Sequence, residues 1–160
     1  MVPFDATGLR PRYGRCDVAG DVTMTLYVIT GPPCSGKSRW VNERSTPADM
    51  VIDLDRIALA ISGSGAVHHD YPRHIRQAAI RARGMAVPTA IGASRVADSY
   101  IIHAKPGREW RRRYALAGAE FVPLTAPLPE LLDRAARERP PAVSRLIRSW
   151  WDDESAEGEY

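Results

Sequence analysis

The sequence predicts an α/β three-layer sandwich, with a mainly parallel sheet and helices on both faces. Three observations lead there. Short β-branched or aromatic runs recur four times along the chain. Each is followed by a segment whose apolar residues fall at helical spacing. A glycine-bounded turn joins the first run to the first helix, the arrangement of a strand–turn–helix unit. Strands separated by helices cross over and lie parallel, and a parallel sheet needs cover on both sides. At 160 residues the chain makes one such domain and buries about two-thirds of its unfolded surface.

Residues 1–23 mix Pro3, Gly8, Pro11, Gly14 and Gly20 with scattered charges and no periodicity, an irregular N-terminal arm. The folded unit is expected over 24–151. Thr25-Leu26-Tyr27-Val28-Ile29-Thr30 is the first strand, and a helix starts near Ser38. Met50-Val51-Ile52-Asp53 is the second, leading into a short helix with Leu54, Ile57, Ala58 and Ile61 at helical spacing. Ser62-Gly63-Ser64-Gly65 breaks it. A helix from about Pro72 to Arg83 turns Ile75, Ala79 and Ala82 inward. Gly84 and Pro88 interrupt it, and a shorter helix follows to about Val96. Ser99-Tyr100-Ile101-Ile102-His103 is the third strand; after Lys105-Pro106-Gly107 a helix covers 108–117. Glu120-Phe121-Val122-Pro123-Leu124 is the fourth strand. Pro129 opens a helix over 130–139, and beyond Pro140-Pro141 a last helix carries Val143, Leu146, Ile147 and Trp150. Trp150-Trp151 packs it on the body, and residues 152–160 form a frayed acidic tail.

Between the first strand and its helix stands Gly31-Pro32-Pro33-Cys34-Ser35-Gly36-Lys37-Ser38, the phosphate-loop pattern G-x-x-x-x-G-K-[ST]. This motif makes the predicted fold a P-loop NTPase sandwich. In such a turn the backbone N–H groups form an anion nest, and the helix N-terminus adds partial positive charge. Residues Gly31, Pro32, Pro33, Cys34, Ser35, Gly36, Lys37, Ser38 and Arg39 are therefore expected to hold ATP. Lys37 reaches its terminal phosphates, and the Ser38 hydroxyl ligates Mg²⁺.

The formal net charge is +3, but it is unevenly spread. Residues 70–150 hold fifteen Lys/Arg against seven Asp/Glu, while the last ten residues hold five acids and no base. That basic body favours an anionic partner. Two cysteines, Cys16 and Cys34, make no disulfide framework, and a bridge at Cys34 would distort the nest. Reduced thiols and a cytoplasmic setting are expected. No apolar stretch approaches a membrane span of ~18–20 residues, and no signal-peptide pattern is present.

Ligands in open α/β sheets bind at the carboxyl ends of the strands. Three strand ends are thus expected to meet in one crevice: the phosphate loop, Asp53 with Asp55, and His103. A strand leaving the sheet as Ile52-Asp53-Leu54-Asp55 sends both carboxylates to one side. Near a terminal phosphate one of them, Asp55, orients or deprotonates an attacking hydroxyl, and the other, Asp53, serves the metal. The competing reading makes Asp55 the cap of the short helix that begins at Arg56.

The phosphate loop, followed about fifteen residues later by Asp53-Leu54-Asp55-Arg56, resembles the phage-type polynucleotide 5′-kinases and related small P-loop kinases. The similarity continues through 99–103, the basic helix after it, and Glu130-Leu131-Leu132-Asp133-Arg134-Ala135-Ala136-Arg137-Glu138-Arg139-Pro140. It covers roughly 24–150 as a pattern, without a long identical stretch. The resemblance implies that Asp55 is the general base on a 5′-hydroxyl. It also implies that the 134–139 region is an arginine-bearing lid over the phosphates. The family's carboxylate after the third strand is missing, since this chain reads Ile102-His103-Ala104-Lys105.

Guanidinium forks suit phosphate oxygens, so Arg134, Arg137 and Arg139 support a lid on physical grounds too, with Arg137 the first choice. The alternative is a solvated face paired with Glu130, Asp133 and Glu138. In Arg108-Glu109-Trp110-Arg111-Arg112-Arg113-Tyr114 the aromatics recur with Ala117 at helical spacing and face the core; the arginines either contact a nucleic-acid backbone or form a solvated face. His68, His69 and His74 lack ligand partners at metal spacing. His103 either contacts substrate or is a satisfied structural histidine. The expected activity is transfer of the γ-phosphoryl of ATP, with Mg²⁺, to a hydroxyl of an anionic acceptor, a nucleic-acid 5′ end. The rivals are a small-metabolite or nucleoside kinase, and an ATP-binding or ATPase module for a DNA-processing protein partner.

Overall fold

The computed structural model of the chain describes residues 15–16 and 22–157, with side chains from 24 to 152. The 1–23 arm and the far end of the acidic tail lie largely outside the described residues. Within the arm, β1 (Arg15–Cys16) pairs antiparallel with β2 (Val22–Thr23). Then follow β3 (Leu26–Thr30), α1 (Lys37–Asn42), β4 (Met50–Ile52), α2 (Leu54–Ala60) and α3 (Arg73–Ala93). The rest is β5 (Ser99–Ile102), α4 (Arg108–Leu116), β6 (Glu120–Pro123), α5 (Leu128–Glu138) and α6 (Ala142–Glu157).

Strands β4, β5, β3 and β6 form one all-parallel sheet in that order. Alternate side chains feed two cores, as a sheet covered on both faces requires. Leu26, Val28, Ile52 and Ile101 pack with Val87, Ala90 and Tyr114 from α3 and α4. On the other face Ile29 and Tyr100 meet Val41 of α1. There Tyr27 stacks on Tyr100 at 5.1 Å, and Trp40 sets its edge against both rings. Leu131, Ala135 and Ile147 join α5 to α6, with Trp151 and Cys34 packed against them. The sheet is flanked by helices on both faces, a P-loop kinase-like sandwich.

Three elements depart from the sequence reading. The helix expected to break at Gly84 and Pro88 runs unbroken as α3, with Pro88 inside it. A mid-helix proline costs about 3 kcal/mol. Burial of Val87, ~1.5–3 kcal/mol, together with Ala79 and Ala90 along the same stripe, about 0.8 kcal/mol each, offsets it. That stripe puts Arg83, not the exposed Ala82, on the inward side. Helix α5 starts at Leu128, with Pro129 in its first turn, instead of at Glu130. The acidic tail is helical as far as Glu157, because no Gly or Pro interrupts 142–157.

Candidate functional site

The first glycine of the phosphate loop closes the end of the sheet. Gly31 N–H donates to Ala104 O at 3.0 Å, just past β5, and Leu124 N–H donates to Thr30 O at 2.9 Å, just past β6. Gly31 sits at φ +130, and a Cβ there would stand 1.9 Å from Leu124 O. Cys34 at φ 64 and Gly36 at φ 91 then curl the loop into the start of α1. Gly36 caps α1 without any side-chain hydrogen bond, so the first N–H groups of the helix have no side-chain cap.

Lys37 folds back across this loop. Its Nζ donates to Gly31 O at 2.9 Å, to Pro32 O at 2.5 Å and more weakly to Ser35 Oγ at 3.4 Å. Burial foremost, with Arg139, lowers its pKa to about 8 against the opposing pull of Cys34, Asp53 and Asp55. A desolvated ammonium beside uncapped N–H groups is a donor set suited to a phosphate chain. Arg39 does not join it. Its side chain is 85% exposed and pairs with Glu43 at 2.8 Å.

Asp53 and Asp55 both lie within reach of Lys37's charge, but they do not share one strand face. The strand stops at Ile52, and Asp53 is the N-cap of α2, its Oδ1 accepting from Asp55 N–H at 3.0 Å. The capping role considered for Asp55 thus belongs to its neighbour. The other oxygen of Asp53, Oδ2, accepts from the Ser38 hydroxyl at 3.2 Å. Ser38 and a buried Asp53 are therefore adjacent, as a shared Mg²⁺ shell would need. Among the described residues no cluster of three or more His, Cys, Asp or Glu could hold a metal unaided. Mg²⁺ in phosphoryl-transfer sites takes one or two protein ligands plus water and phosphate oxygens, so two suffice. Asp55 sits in the first turn of α2, and its Oδ2 lies 2.7 Å from His69 Nδ1.

The three arginines of the expected lid have three different fates. Arg137 pairs with Asp133 at 2.9 Å, and both side chains stand in solvent at 65% and 62% exposure. Arg134 donates to Cys34 O at 3.1 Å and pairs with Glu130, tying α5 to the phosphate loop. Arg139 is the one whose charge is felt by both Lys37 and His69. It precedes Pro140, and its backbone is extended (φ −137, ψ 156), so it leaves the helical phase of Arg137.

His103, at the end of β5, is held structurally. Its Nδ1 lies 3.0 Å from the Tyr114 hydroxyl, with the Trp110 and Tyr114 rings packed edge-on against it. Burial first, then Arg83 and Arg111, push its pKa down to about 4, so it is neutral near pH 7. Arg83 was not singled out from the sequence. It hydrogen-bonds Tyr114 and lies within electrostatic range of Asp53, and burial presses its pKa downward. Its Nε and Nη2 are buried and make no hydrogen bond among the described residues. Its spacing of four from both Ala79 and Val87 was the available signal. The basic helix α4 turns Tyr114 fully inward, and its Arg111 and Arg113 are engaged by Pro106 O and the Trp110 ring.

No family model and no curated protein matches the chain. Among solved structures, the fold is similar to a chain of the Pnkp1/Rnl/Hen1 RNA repair complex, with a TM-score of 0.56 and 14% identity; the match covers 84% of this chain and 46% of that one. A second Pnkp1/Rnl/Hen1 complex structure matches with a TM-score of 0.50 and 16% identity, covering 70% of this chain and 39% of that one. A supposed kinase from Chloroflexus aurantiacus J-10-fl matches with a TM-score of 0.50 and 18% identity, covering 79% of each chain. The chain spans less than half the length of the two Pnkp1/Rnl/Hen1 chains. Identities this low speak for a common fold.

Proposed function

We propose that the chain is an ATP- and Mg²⁺-dependent phosphotransferase that passes the γ-phosphoryl group to a hydroxyl, the 5′-hydroxyl of a nucleic-acid end. One observation carries this reading: Lys37 with Ser38, Asp53 with Asp55, and Arg139 come together from three separate segments. Lys37 and the loop N–H groups bind the β- and γ-phosphates. Ser38 and Asp53 would hold Mg²⁺, which supplies charge neutralisation on those phosphates. Asp55, 41% exposed, aligns the acceptor hydroxyl and takes its proton late in a loose transition state. Arg139 stabilises charge on the transferring group, while Arg134 keeps the loop in place through Cys34 O.

A nucleic-acid acceptor is favoured over a neutral metabolite by the basic 70–150 region. The similarity to chains of an RNA repair complex points the same way, and it leaves room for a protein partner. The test is transfer of labelled γ-phosphate from ATP to 5′-hydroxyl RNA, 5′-hydroxyl DNA and nucleosides, with Lys37→Ala as the nucleotide-site control. Asp55→Asn keeps the side-chain volume and leaves the Asp53 cap untouched. It is expected to bind ATP and melt like the wild type, yet lose transfer by roughly 10²–10⁴-fold. Wild-type transfer by Asp55→Asn removes the assigned base.

A further inference from the structure

Asp55 is gripped from a distant part of the chain. Its Oδ2 lies 2.7 Å from Nδ1 of His69, and its backbone carbonyl accepts a hydrogen bond from the Tyr71 hydroxyl at 3.1 Å. Both side chains come from the connection between α2 and α3, so the segment holds Asp55 at the carboxylate and at the backbone. The His69 side chain is 16% exposed and that of Asp55 is 41% exposed. The imidazole therefore covers one carboxylate oxygen while the group stays open to the crevice. His69 does this from a backbone at φ 73, a left-handed conformation that L side chains seldom adopt. Residues in that region persist where surrounding contacts over-determine them, and they gather at functional sites.

The polarity of the contact follows from chemistry. An ionised carboxylate only accepts hydrogen bonds, so Nδ1 is the donor. Burial foremost, then Arg139 and His68, push His69 below its ordinary pKa against the opposing pull of Asp55. The ring thus carries a proton on Nδ1.

We propose that His69 is a positioning residue for phosphoryl transfer: its Nδ1–H pins Oδ2 of Asp55 so that Oδ1 meets the acceptor hydroxyl. The inference rests on the kinase reading, because a carboxylate that only capped or solvated the helix would need no such orientation. In the step it serves, the acceptor O–H bond breaks and a bond forms between that oxygen and the γ-phosphorus. The bond from phosphorus to the bridging oxygen breaks, its electron pair leaves with the nucleoside diphosphate, and the proton passes to Asp55 Oδ1.

His69→Leu removes the donor. His69→Asn keeps one, because an asparagine Nδ2 stands where the imidazole Nδ1 stood, and asparagine tolerates the left-handed backbone. With ATP and a 5′-hydroxyl oligonucleotide, His69→Leu is expected to lower kcat roughly 10- to 100-fold, a part of the 10²–10⁴ that a positioned base contributes. The acceptor KM and the ATP Kd stay near wild type, and His69→Asn recovers most of the rate. An unchanged kcat in His69→Leu overturns the proposal, as does a His69→Asn variant as slow as His69→Leu. Should His69→Leu not fold, the comparison becomes His69→Asn against His69→Asp, which share a shape but not the donor; equal rates then overturn it. Failure of the kinase reading looks different: the wild type itself transfers no phosphate to any acceptor.

Discussion

Replacing Gly31 by alanine tests how the phosphate loop is seated. The added Cβ would stand 1.9 Å from Leu124 O, 3.0 Å from Leu124 C and 3.1 Å from Ser35 Oγ. Ordinary contact begins at 3.4 Å, so the loop or the end of β6 must move by about 1.5 Å. The obstructing atom is backbone, and its own residue is fixed by the Leu124 N–H to Thr30 O bond at 2.9 Å. A rotamer change therefore cannot relieve the clash. Overpacking of this kind costs roughly 1–3 kcal/mol. The positive φ adds about 1–2 kcal/mol for a residue with a Cβ. Together that is about 2–5 kcal/mol, or a fall in Tm of roughly 4–20 °C for a domain of this length. Gly36→Ala is the internal control: φ is 91 there, but nothing lies within 4 Å of the new Cβ. It should show only the backbone cost, about 1–2 kcal/mol. Thermal melts followed by circular dichroism read both variants. If Gly31→Ala melts at or above the temperature of Gly36→Ala, the loop does not abut β6 and its described seating is wrong.

Two further outcomes follow from the site. Arg139→Ala should lower kcat roughly 10²–10³-fold with a smaller effect on ATP affinity, as expected of a charge that matters most in the transition state. Arg137→Ala, breaking only a solvated pair, should stay within about twofold; single-turnover transfer compares them, and a larger loss for Arg137→Ala would reverse the assignment. His103 sets a pH dependence of stability. Its folded pKa of about 4 lies below the unfolded 6.5, so the unfolded chain binds the extra proton between those values. Stability present above pH 6.5 is thus lost as pH falls toward 4, by at most about 3.4 kcal/mol at 1.36 kcal/mol per unit, and roughly half that for a half-buried ring. Urea midpoints at pH 7 and 4.5 should differ less in His103→Gln than in the wild type; an equal difference refutes the assignment.

The sheet and the glycine-bounded loop between β3 and α1 were legible because local pattern decides them. Val28 and Ile101 on one face, Ile29 and Tyr100 on the other, are neighbours across a ladder whose register follows from the runs themselves. Asp53 and Asp55 were legible as a pair, but their division of labour was not. It depends on where β4 stops, and a boundary one residue earlier turned Asp53 into a cap. Helix α3 was misread because a proline's local penalty is visible in sequence while the burial that overrides it is not. Arg83 was lost with it, since its inward position appears only when the two expected helices are one. The placement of the three arginines was less legible for a related reason. Arg137, the first choice, stands in solvent beside Asp133, while Pro140 holds the residue before it in extended backbone and takes Arg139 out of the helical phase. The proline was the signal, and it outweighs the helical wheel. His69 had no such signal, because its partner lies fourteen residues away and the contact needs a left-handed backbone.

Among the described residues, the non-glycine residues with positive φ are Cys34 and His69. Each costs on the order of 1–3 kcal/mol that other contacts must offset. Both departures fall in the neighbourhood of the proposed site. Cys34 lies in the glycine-bounded loop before α1, and its carbonyl is held by Arg134 from α5. His69 lies beside the Asp55 carboxylate, and its ring is held by Asp55 from α2. The same neighbourhood carries a lysine lowered to about pKa 8 by burial and by Arg139, against the pull of Asp53 and Asp55. Backbone strain and burial of a charged lysine both lower stability, and here they coincide where a polyphosphate would favour the charged form. A chain selected for stability alone would shed them, for instance with glycine at 34 and an uncharged residue at 37. Their joint presence is what the proposed reading expects of a site that binds phosphate on one side and presents a fixed carboxylate on the other.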